Sequence, residues 1–280
     1  MTDIKIPYAP NSIQKGIPLK LILDKEAVYQ LGVNLNIVDG RFNKEAFTKE
    51  ALKNISPLGI KERAEHIANV MQKYLPEVYS EAIDIILKSL TPPLEKTEDN
   101  GLAVLFYMPH CSYIAKYGVD PIYNSGIDPF DISMKAQYDI TRRFSCEFSI
   151  RSFIASDQER TFQVLYQWMN DPDPHVRRLC SEGTRSRLPW ATKLRAIAED
   201  PSPVLPILEA LKVDRELYVR RSVANNVGDI AKDHLDLALD LCERWLDGAS
   251  DDLKWVIRHA VRNPVKKGNQ KAIELRKAAK

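Results

Sequence analysis

The sequence predicts an all-α protein whose helical hairpins stack into a solenoid, an α-α superhelix. One observation is a repeated phrase: Asp171-Pro-Asp-Pro-His-Val-Arg-Arg178 returns 43 residues later as Asp214-Arg-Glu-Leu-Tyr-Val-Arg-Arg221. A weaker third copy contains Asp252, Ile257 and Arg258. A period of about 40 to 47 residues is typical of HEAT and armadillo repeats. The other observation is that apolar residues recur at helical spacing, with no alternating strand pattern.

In the first part of the chain, apolar stripes indicate helices and proline residues end them. A short amphipathic segment covers residues 11–31, and an exposed connector is expected at 94–101. Pro76 and the pair Pro92-Pro93 stop two of the helices. The stripes predict helices within residues 42–55, 60–75, 77–90 and 102–117.

The second part of the chain begins with a helical region that starts at Asp131 and continues through residue 153. Asp157 is the expected N-cap of a helix that reaches Asn170. Turns marked by Pro or Gly then separate further helices, at residues 171–174, 187–190, 200–203, 247–248 and 267–268. We expect residues 1–130 to form an N-terminal helical region that closes the solenoid. Residues 131–280 would form the repeat region that carries the site, and the two would make one continuous structural unit.

The composition is that of a soluble globular protein, with 44% hydrophobic and 28% charged residues. The amino terminus does not resemble a signal peptide, and no run of 18 apolar residues occurs, so a cytoplasmic protein without a membrane contact is expected. Cys111, Cys146, Cys180 and Cys242 are widely spaced without a CxxC pair. This spacing argues against zinc, iron–sulfur clusters and a disulfide framework, so we expect no metal and no cofactor. The sequence does not fix the oligomeric state, although a monomer is favoured.

The charge is segregated along the chain. Residues 1–141 carry a net charge of −3, 142–195 carry +4, 196–253 carry −7 and 254–280 carry +8. If the fold brings the two basic blocks to one face, they suit a polyanion, whereas the alternative is a set of solvated helix surfaces.

The repeated phrase has two faces when it is drawn as a helix. Apolar residues at Val219, Val223, Val227 and Ile230 fall on one face. Polar residues spaced by three or four fall along another face, away from the core: Arg221, Asn225 and Asp229 in the second copy, and Arg178, Glu182 and Arg185 in the first.

In stacked repeats, these polar faces would lie side by side on a concave basic surface. Arg178, Arg221 and Arg258 would then occupy successive rungs and bind a phosphate backbone. The spacing equally allows a structural ladder of Asp and Arg between hairpins. Similarly, Asp229 could serve only as an ion-pair partner, and Trp190 could lie in the core.

The identities of the residues, beyond their spacing, favour one of these alternatives. Four strings, in order, closely resemble the HEAT-like DNA alkylation-repair glycosylases, on the AlkC branch of the AlkC/AlkD superfamily. They are Glu147-Phe-Ser-Ile-Arg151, Val176-Arg-Arg-Leu-Cys-Ser-Glu-Gly-Thr-Arg-Ser-Arg-Leu-Pro-Trp190, Tyr218-Val-Arg-Arg-Ser-Val-Ala-Asn-Asn226 with Asp229-Ile-Ala-Lys-Asp-His234, and Trp255-Val-Ile-Arg-His259 with Val265-Lys-Lys-Gly268. Some AlkC relatives carry a further immunoglobulin-like domain, and no strand-rich segment of that kind is expected here.

The resemblance implies a DNA N-glycosylase, a hydrolase that excises cationic alkylated bases such as 3-methyladenine from double-stranded DNA. It implies that Asp229 is the catalytic carboxylate, Glu147 a second acidic residue of the site and Trp190 an aromatic wall beside the lesion. Arg178 would contact the DNA backbone, and Arg221 and Arg258 are carried over as further phosphate contacts. Two other functions stay open: a HEAT-like module that binds nucleic acid without catalysis, and a protein scaffold in which the arginines are structural.

Overall fold

The computed structural model describes residues 4–98 and 100–280, and every regular element within them is a helix. The predicted all-α fold is therefore confirmed. The chain separates into two compact units, residues up to 156 and residues 157–280. The division comes later in the chain than the boundary expected at residue 130.

The first unit contains seven α-helices among its described residues. They are α1 (Lys25–Val38), α2 (Lys44–Leu52), α3 (Ile60–Tyr74), α4 (Tyr79–Lys88), α5 (Met108–Tyr117), α6 (Phe130–Thr141) and α7 (Ile150–Ser156). The apolar stripes that predicted α2, α3 and α4 supply buried residues of this core. Helix α6 packs on α4 and α5, and α7 packs on α5, so these two helices belong to the first unit.

The continuous helical region expected around α6 and α7 is interrupted. Residues 142–149 form turns between the two helices. The backbone amides of Arg143 and Phe144 both donate to the carbonyl of Ile140 at 2.8 Å, which tightens the end of α6 into a turn. Glu147 therefore lies in a turn and not on a helix.

The second unit begins with the predicted N-cap, because the Asp157 side chain accepts a hydrogen bond from the amide of Arg160 at 3.1 Å. Its helices are α8 (Gln158–Trp168), α9 (Pro174–Gly183), α10 (Arg195–Glu199), α11 (Leu205–Leu211), α12 (Leu217–Asp233), α13 (Leu235–Leu246), α14 (Asp251–Ala260), α15 (Arg262–Lys266) and α16 (Gln270–Ala278). The three copies of the repeated phrase lead into α9, α12 and α14.

Helix α12 is the centre of the second unit, since it packs against both α9 and α14. The four apolar residues predicted to face the core are all buried: Val219, Val223, Val227 and Ile230. Gly228 allows the close approach to α14, because a Cβ atom there would lie 3.3 Å from the carbonyl oxygen of Ala260. Asn226 Nδ2 donates to the Ser181 carbonyl at 2.7 Å and joins α12 to the end of α9.

A ladder of ion pairs connects the successive copies, and its four residues are Arg177, Asp214, Arg220 and Asp252. Arg177 donates from Nε and Nη2 to the two oxygens of Asp214 at 2.6 and 2.9 Å. Arg220 Nη2 donates to Asp252 Oδ1 at 2.7 Å. The first arginine of each Arg-Arg pair thus binds the aspartate that opens the next copy. Arg177 and Arg220 therefore form the structural ladder of Asp and Arg that the spacing allowed. We call their position in the repeat the ladder register.

Arg258 belongs to the ladder register and not to that of Arg178 and Arg221. Its Nη1 donates to the backbone carbonyl of Ala279. Because consecutive helical residues are rotated by about 100°, His259 takes the position equivalent to Arg178 and Arg221. The expectation of three equivalent arginine rungs is therefore wrong for Arg258.

Candidate functional site

The polar face of α12 descends from solvent into the protein. Arg221 is exposed, Asn225 is half-buried and Asp229 is only 2% exposed. Their spacing by four residues keeps all three along one side of the helix. The expectation that Asp229 faces away from the core is wrong, because this side is covered at its carboxyl-terminal end.

Two cations hold the buried carboxylate of Asp229. Arg185, from the segment after α9, donates from Nε to Asp229 Oδ2 at 2.8 Å. Lys232 Nζ donates to Asp229 Oδ1, also at 2.8 Å. The side chain of Lys232 is 43% exposed, whereas that of Arg185 is 10% exposed. The carboxylate is thus held between a buried guanidinium and an exposed ammonium group.

These contacts belong to a charged chain formed by Arg178, Glu182, Arg185, Asp229 and Lys232. Glu182 Oε1 lies 2.6 Å from Arg185 Nη1 and 3.5 Å from Arg178 Nη2. Burial opposes ionisation of Glu182, but the charges of Arg178 and Arg185 outweigh it and lower the pKa of the carboxyl. Burial also opposes the charge on Arg185, but Glu182 and Asp229 outweigh it and raise the pKa of the guanidinium. Three cations against two carboxylates leave these five residues with a net positive charge.

A second cationic layer comes from the junction of α14 and α15. Arg262 donates from Nη2 to Asn225 Oδ1 at 2.9 Å and from Nη1 to the His259 carbonyl at 2.6 Å. Burial and the nearby charge of Arg185 lower the pKa of Arg262, and Asp229 partly offsets them. Burial and the charges of Arg262 and Arg221 lower the pKa of His259 to about 4, so this imidazole is neutral at pH 7.

Trp190 lies on the surface, in the segment of residues 184–194 between α9 and α10. It is 62% exposed, which excludes a core role. Its backbone has φ of 65°, an uncommon left-handed conformation for a bulky residue. Backbone strain of this kind often marks a functional site.

The two arginines expected at the polar face differ in their surroundings. Arg178 is half-buried and lies over the ring of Tyr218, with its guanidinium carbon 5.0 Å from the ring centroid. The same ring meets His175 edge-on at 5.5 Å. Arg221 is exposed on the next helix. Arg178 is therefore held in place by its neighbours, whereas Arg221 extends into solvent.

Glu147 is the one expected site residue that lies in the first unit. It is half-buried, and Oε2 accepts a hydrogen bond from Ser145 Oγ at 2.8 Å. The other five expected residues belong to the second unit: Arg178, Trp190, Arg221, Asp229 and Arg258.

Sequence reasoning missed three cations of the site, namely Arg185, Lys232 and Arg262. Arg185 was visible as a member of the polar face predicted for the first copy, and Lys232 was visible as a neighbour of Asp229 at i+3. Arg262 had no such signal, because it follows the third copy at a position that repeats nothing in the first two.

Comparisons with known proteins place these features in a family. No family model matches the chain. Uncharacterized protein YhaZ of Bacillus subtilis (strain 168) is 36% identical over 258 residues, which are 92% of this chain and 67% of that protein. The alkylpurine DNA glycosylase AlkC of Pseudomonas fluorescens, solved bound to DNA containing an abasic site analog, superimposes with a TM-score of 0.80. It is 34% identical, and the match covers 92% of this chain and 67% of that one. The chain belongs to the AlkC branch of the DNA alkylation-repair glycosylases.

The AlkC match extends over both units, because 92% of the chain exceeds the length of either one. The chain spans about two thirds of the length of each of these two proteins. Across the part of the chain that the structure describes, no helix combines the length and apolar character that a membrane crossing needs.

Proposed function

We propose that this AlkC-family protein is a DNA glycosylase that releases cationic N-alkylated bases, of the 3-methyladenine type, by hydrolysis of the N-glycosidic bond. Family membership supports this activity, since the solved relative is an alkylpurine DNA glycosylase bound to DNA. The observation that carries the proposal is the buried carboxylate of Asp229, which has the exposed cation of Lys232 on one oxygen.

The chemistry requires little from the protein beyond negative charge in the right place. A base alkylated on a ring nitrogen already carries a positive charge, so it leaves without protonation. The sugar becomes positively charged as the bond breaks, and a carboxylate stabilises that charge and orients a water molecule. Asp229 would supply this carboxylate, and Glu147 stays a further acidic residue that the family resemblance implies.

The carboxylate of Asp229 is already paired with two cations, and the position of Lys232 indicates where a cationic substrate would bind to it. Its ammonium group already occupies Asp229 Oδ1, so this oxygen accepts a cation from the solvent side. A positively charged nucleotide would take that place, while the long side chain of Lys232 turns to a DNA phosphate. Arg185 would keep the other oxygen fixed throughout, because its guanidinium is buried against Glu182.

Trp190 and three arginines would supply the remaining parts of the site. An indole face favours a cationic base over a neutral one by about 0.5–2 kcal/mol. Arg178, Arg221 and, by resemblance, Arg258 would contact the phosphate backbone, although the ladder register of Arg258 makes it the weakest of the three.

Replacement of the proposed catalytic carboxylate tests this function. We expect Asp229→Asn to lower the rate of base release from methylated duplex DNA by about 10²–10³-fold, because charge stabilisation in the transition state is lost. DNA affinity and helical content should remain close to those of the wild type. Free bases are separated by chromatography and counted over time. Asp240→Asn is the matched control, since Asp240 is also ion-paired, to Lys271 at 2.6 Å, but on the surface of α13.

The second candidate is a DNA-binding module without catalysis. The observation in its favour is that both oxygens of Asp229 already accept hydrogen bonds. Wild-type protein that binds methylated DNA but releases no base would establish this alternative. Equal rates of release for Asp229→Asn and the wild type would instead show that another group is the catalytic one.

A further inference from the structure

The residues on either side of Trp190 are attached to α12 through one aspartate, Asp233. Arg187 donates from Nε to Asp233 Oδ2 at 2.9 Å and from Nη2 to Asp233 Oδ1 at 2.6 Å. Lys193 Nζ lies 3.7 Å from the same Oδ1. These two cations stand three residues before and three residues after Trp190, so a single carboxylate binds both flanks of the segment.

Asp233 also lies on the side of α12 that carries Asp229. The two residues are four apart on α12 and therefore lie on the same side of the helix, about one turn from each other. Each binds an arginine from the segment after α9: Arg185 pairs with Asp229 and Arg187 pairs with Asp233. The segment is thus fastened to α12 at two successive turns, immediately before Trp190.

The contacts of Asp233 contribute little to the core. The Arg187 side chain is 38% exposed and that of Asp233 is 20% exposed. The apolar anchors of the segment are Leu188 and Leu194, which are buried on their own account. An ion pair this exposed adds little stability, so orientation of the segment is its main physical effect.

We infer that Asp233 is a positioning residue that holds Trp190 in its left-handed conformation near the end of α12 that carries Asp229. A bidentate arginine–carboxylate pair fixes direction as well as distance, because both groups are planar. A fixed indole is important for selectivity, since a misplacement of about 1 Å can change a rate by as much as a hundredfold. The inference rests on the proposed function for its effect on base release, but the attachment of Trp190 is a property of the protein without DNA.

The test uses the full chain labelled with 5-fluorotryptophan. The four tryptophans give four ¹⁹F resonances, and Trp190 is assigned by the signal that disappears in Trp190→Phe. We expect Asp233→Asn to shift or broaden the Trp190 resonance, whereas Asp240→Asn leaves it unchanged. Asp233→Glu, which keeps the charge, should restore most of the wild-type signal.

The same variants are then assayed for base release. We expect Asp233→Asn to lower kcat by about tenfold while the affinity for undamaged duplex changes by less than about twofold. Arg187→Ala should have a similar effect, and the double variant should be no worse than either single one, because both changes remove one interaction.

Three results would overturn the inference. One is an unchanged Trp190 resonance in Asp233→Asn, another is an unchanged kcat in an active enzyme, and a third is fully additive losses in the double variant. If the wild type releases no base, the proposed function fails, and the ¹⁹F spectra alone then decide whether Asp233 holds Trp190.

Discussion

Adjacent arginines serve opposite purposes on two sides of the second unit. On the ladder side, Arg177 is 7% exposed, and its guanidinium binds Asp214 and the carbonyls of Asp171 and Pro172. On the polar face, Arg178 lies over an aromatic ring beside a carboxylate. The two residues are neighbours in sequence, and the rotation of about 100° per helical residue separates them.

The Arg-Arg phrase thus combines a structural function with a surface one. The ladder arginines have their hydrogen-bonding capacity directed into the fold, so they connect repeats whatever the partner. The polar face is different, because it retains net positive charge around the buried Asp229. The polar face is therefore better suited than the ladder to a polyanion.

The sharpest test of this difference is Arg177→Ala. We expect the free energy of unfolding to fall by about 3–5 kcal/mol, because Asp214 is left buried without its cation. The side chain of Asp214 is 5% exposed in the pair, so water replaces little of the lost interaction. Urea denaturation gives the magnitude, and hydrogen exchange of the α9 and α12 amides reports on the second unit.

Arg221→Ala is the control for that measurement. It removes an exposed arginine from α12, so its effect on stability should stay within about 0.5 kcal/mol. If Arg177→Ala cost no more than this, the ladder would not differ energetically from the polar face.

Much of this fold was predictable because local patterns determine it. The apolar residues of α12, from Val219 to Ile230, are buried as their spacing indicates. The cap at Asp157 was also predictable, since an N-cap depends on only a few consecutive residues. By contrast, the turns around Glu147 depend on how the end of α6 packs, and no local signal opposed a continuous helix.

The site was less predictable than the fold, because its contacts connect distant residues. Arg185 and Asp229 are 44 residues apart, and helical spacing alone placed Asp229 on an open ridge. The segment that covers it has no regular periodicity, so its position could not be inferred. The position of Arg258, by contrast, could have been predicted. It follows Ile257 as Arg177 follows Val176 and Arg220 follows Val219, so the alignment of the third copy already matches it to the first arginine of each pair and not to the second.

A smaller effect is expected from Arg221→Ala on DNA binding. Affinity for undamaged duplex should fall for all sequences, and the slope of log K against log salt should decrease by about one, because one phosphate contact is lost. Fluorescence anisotropy at several salt concentrations measures both quantities. Arg215→Ala is the matched control, since Arg215 is an exposed arginine that donates to the Pro172 carbonyl on the ladder side. Equal losses of slope in the two variants would remove the distinction between the two regions.

The smallest expected effect concerns His259, which occupies the polar-face register of the third copy. Its pKa is lowered from 6.5 to about 4 by burial and by the charges of Arg262 and Arg221. Between these two pH values the unfolded chain binds a proton that the folded chain excludes, so this residue makes stability fall as pH decreases from about 6.5 to about 4. His259→Gln should flatten the pH dependence of the unfolding midpoint in this window and leave it unchanged above about pH 7. An identical pH profile for variant and wild type would mean that burial and the charges of Arg262 and Arg221 together do not exclude a proton from His259 in this window.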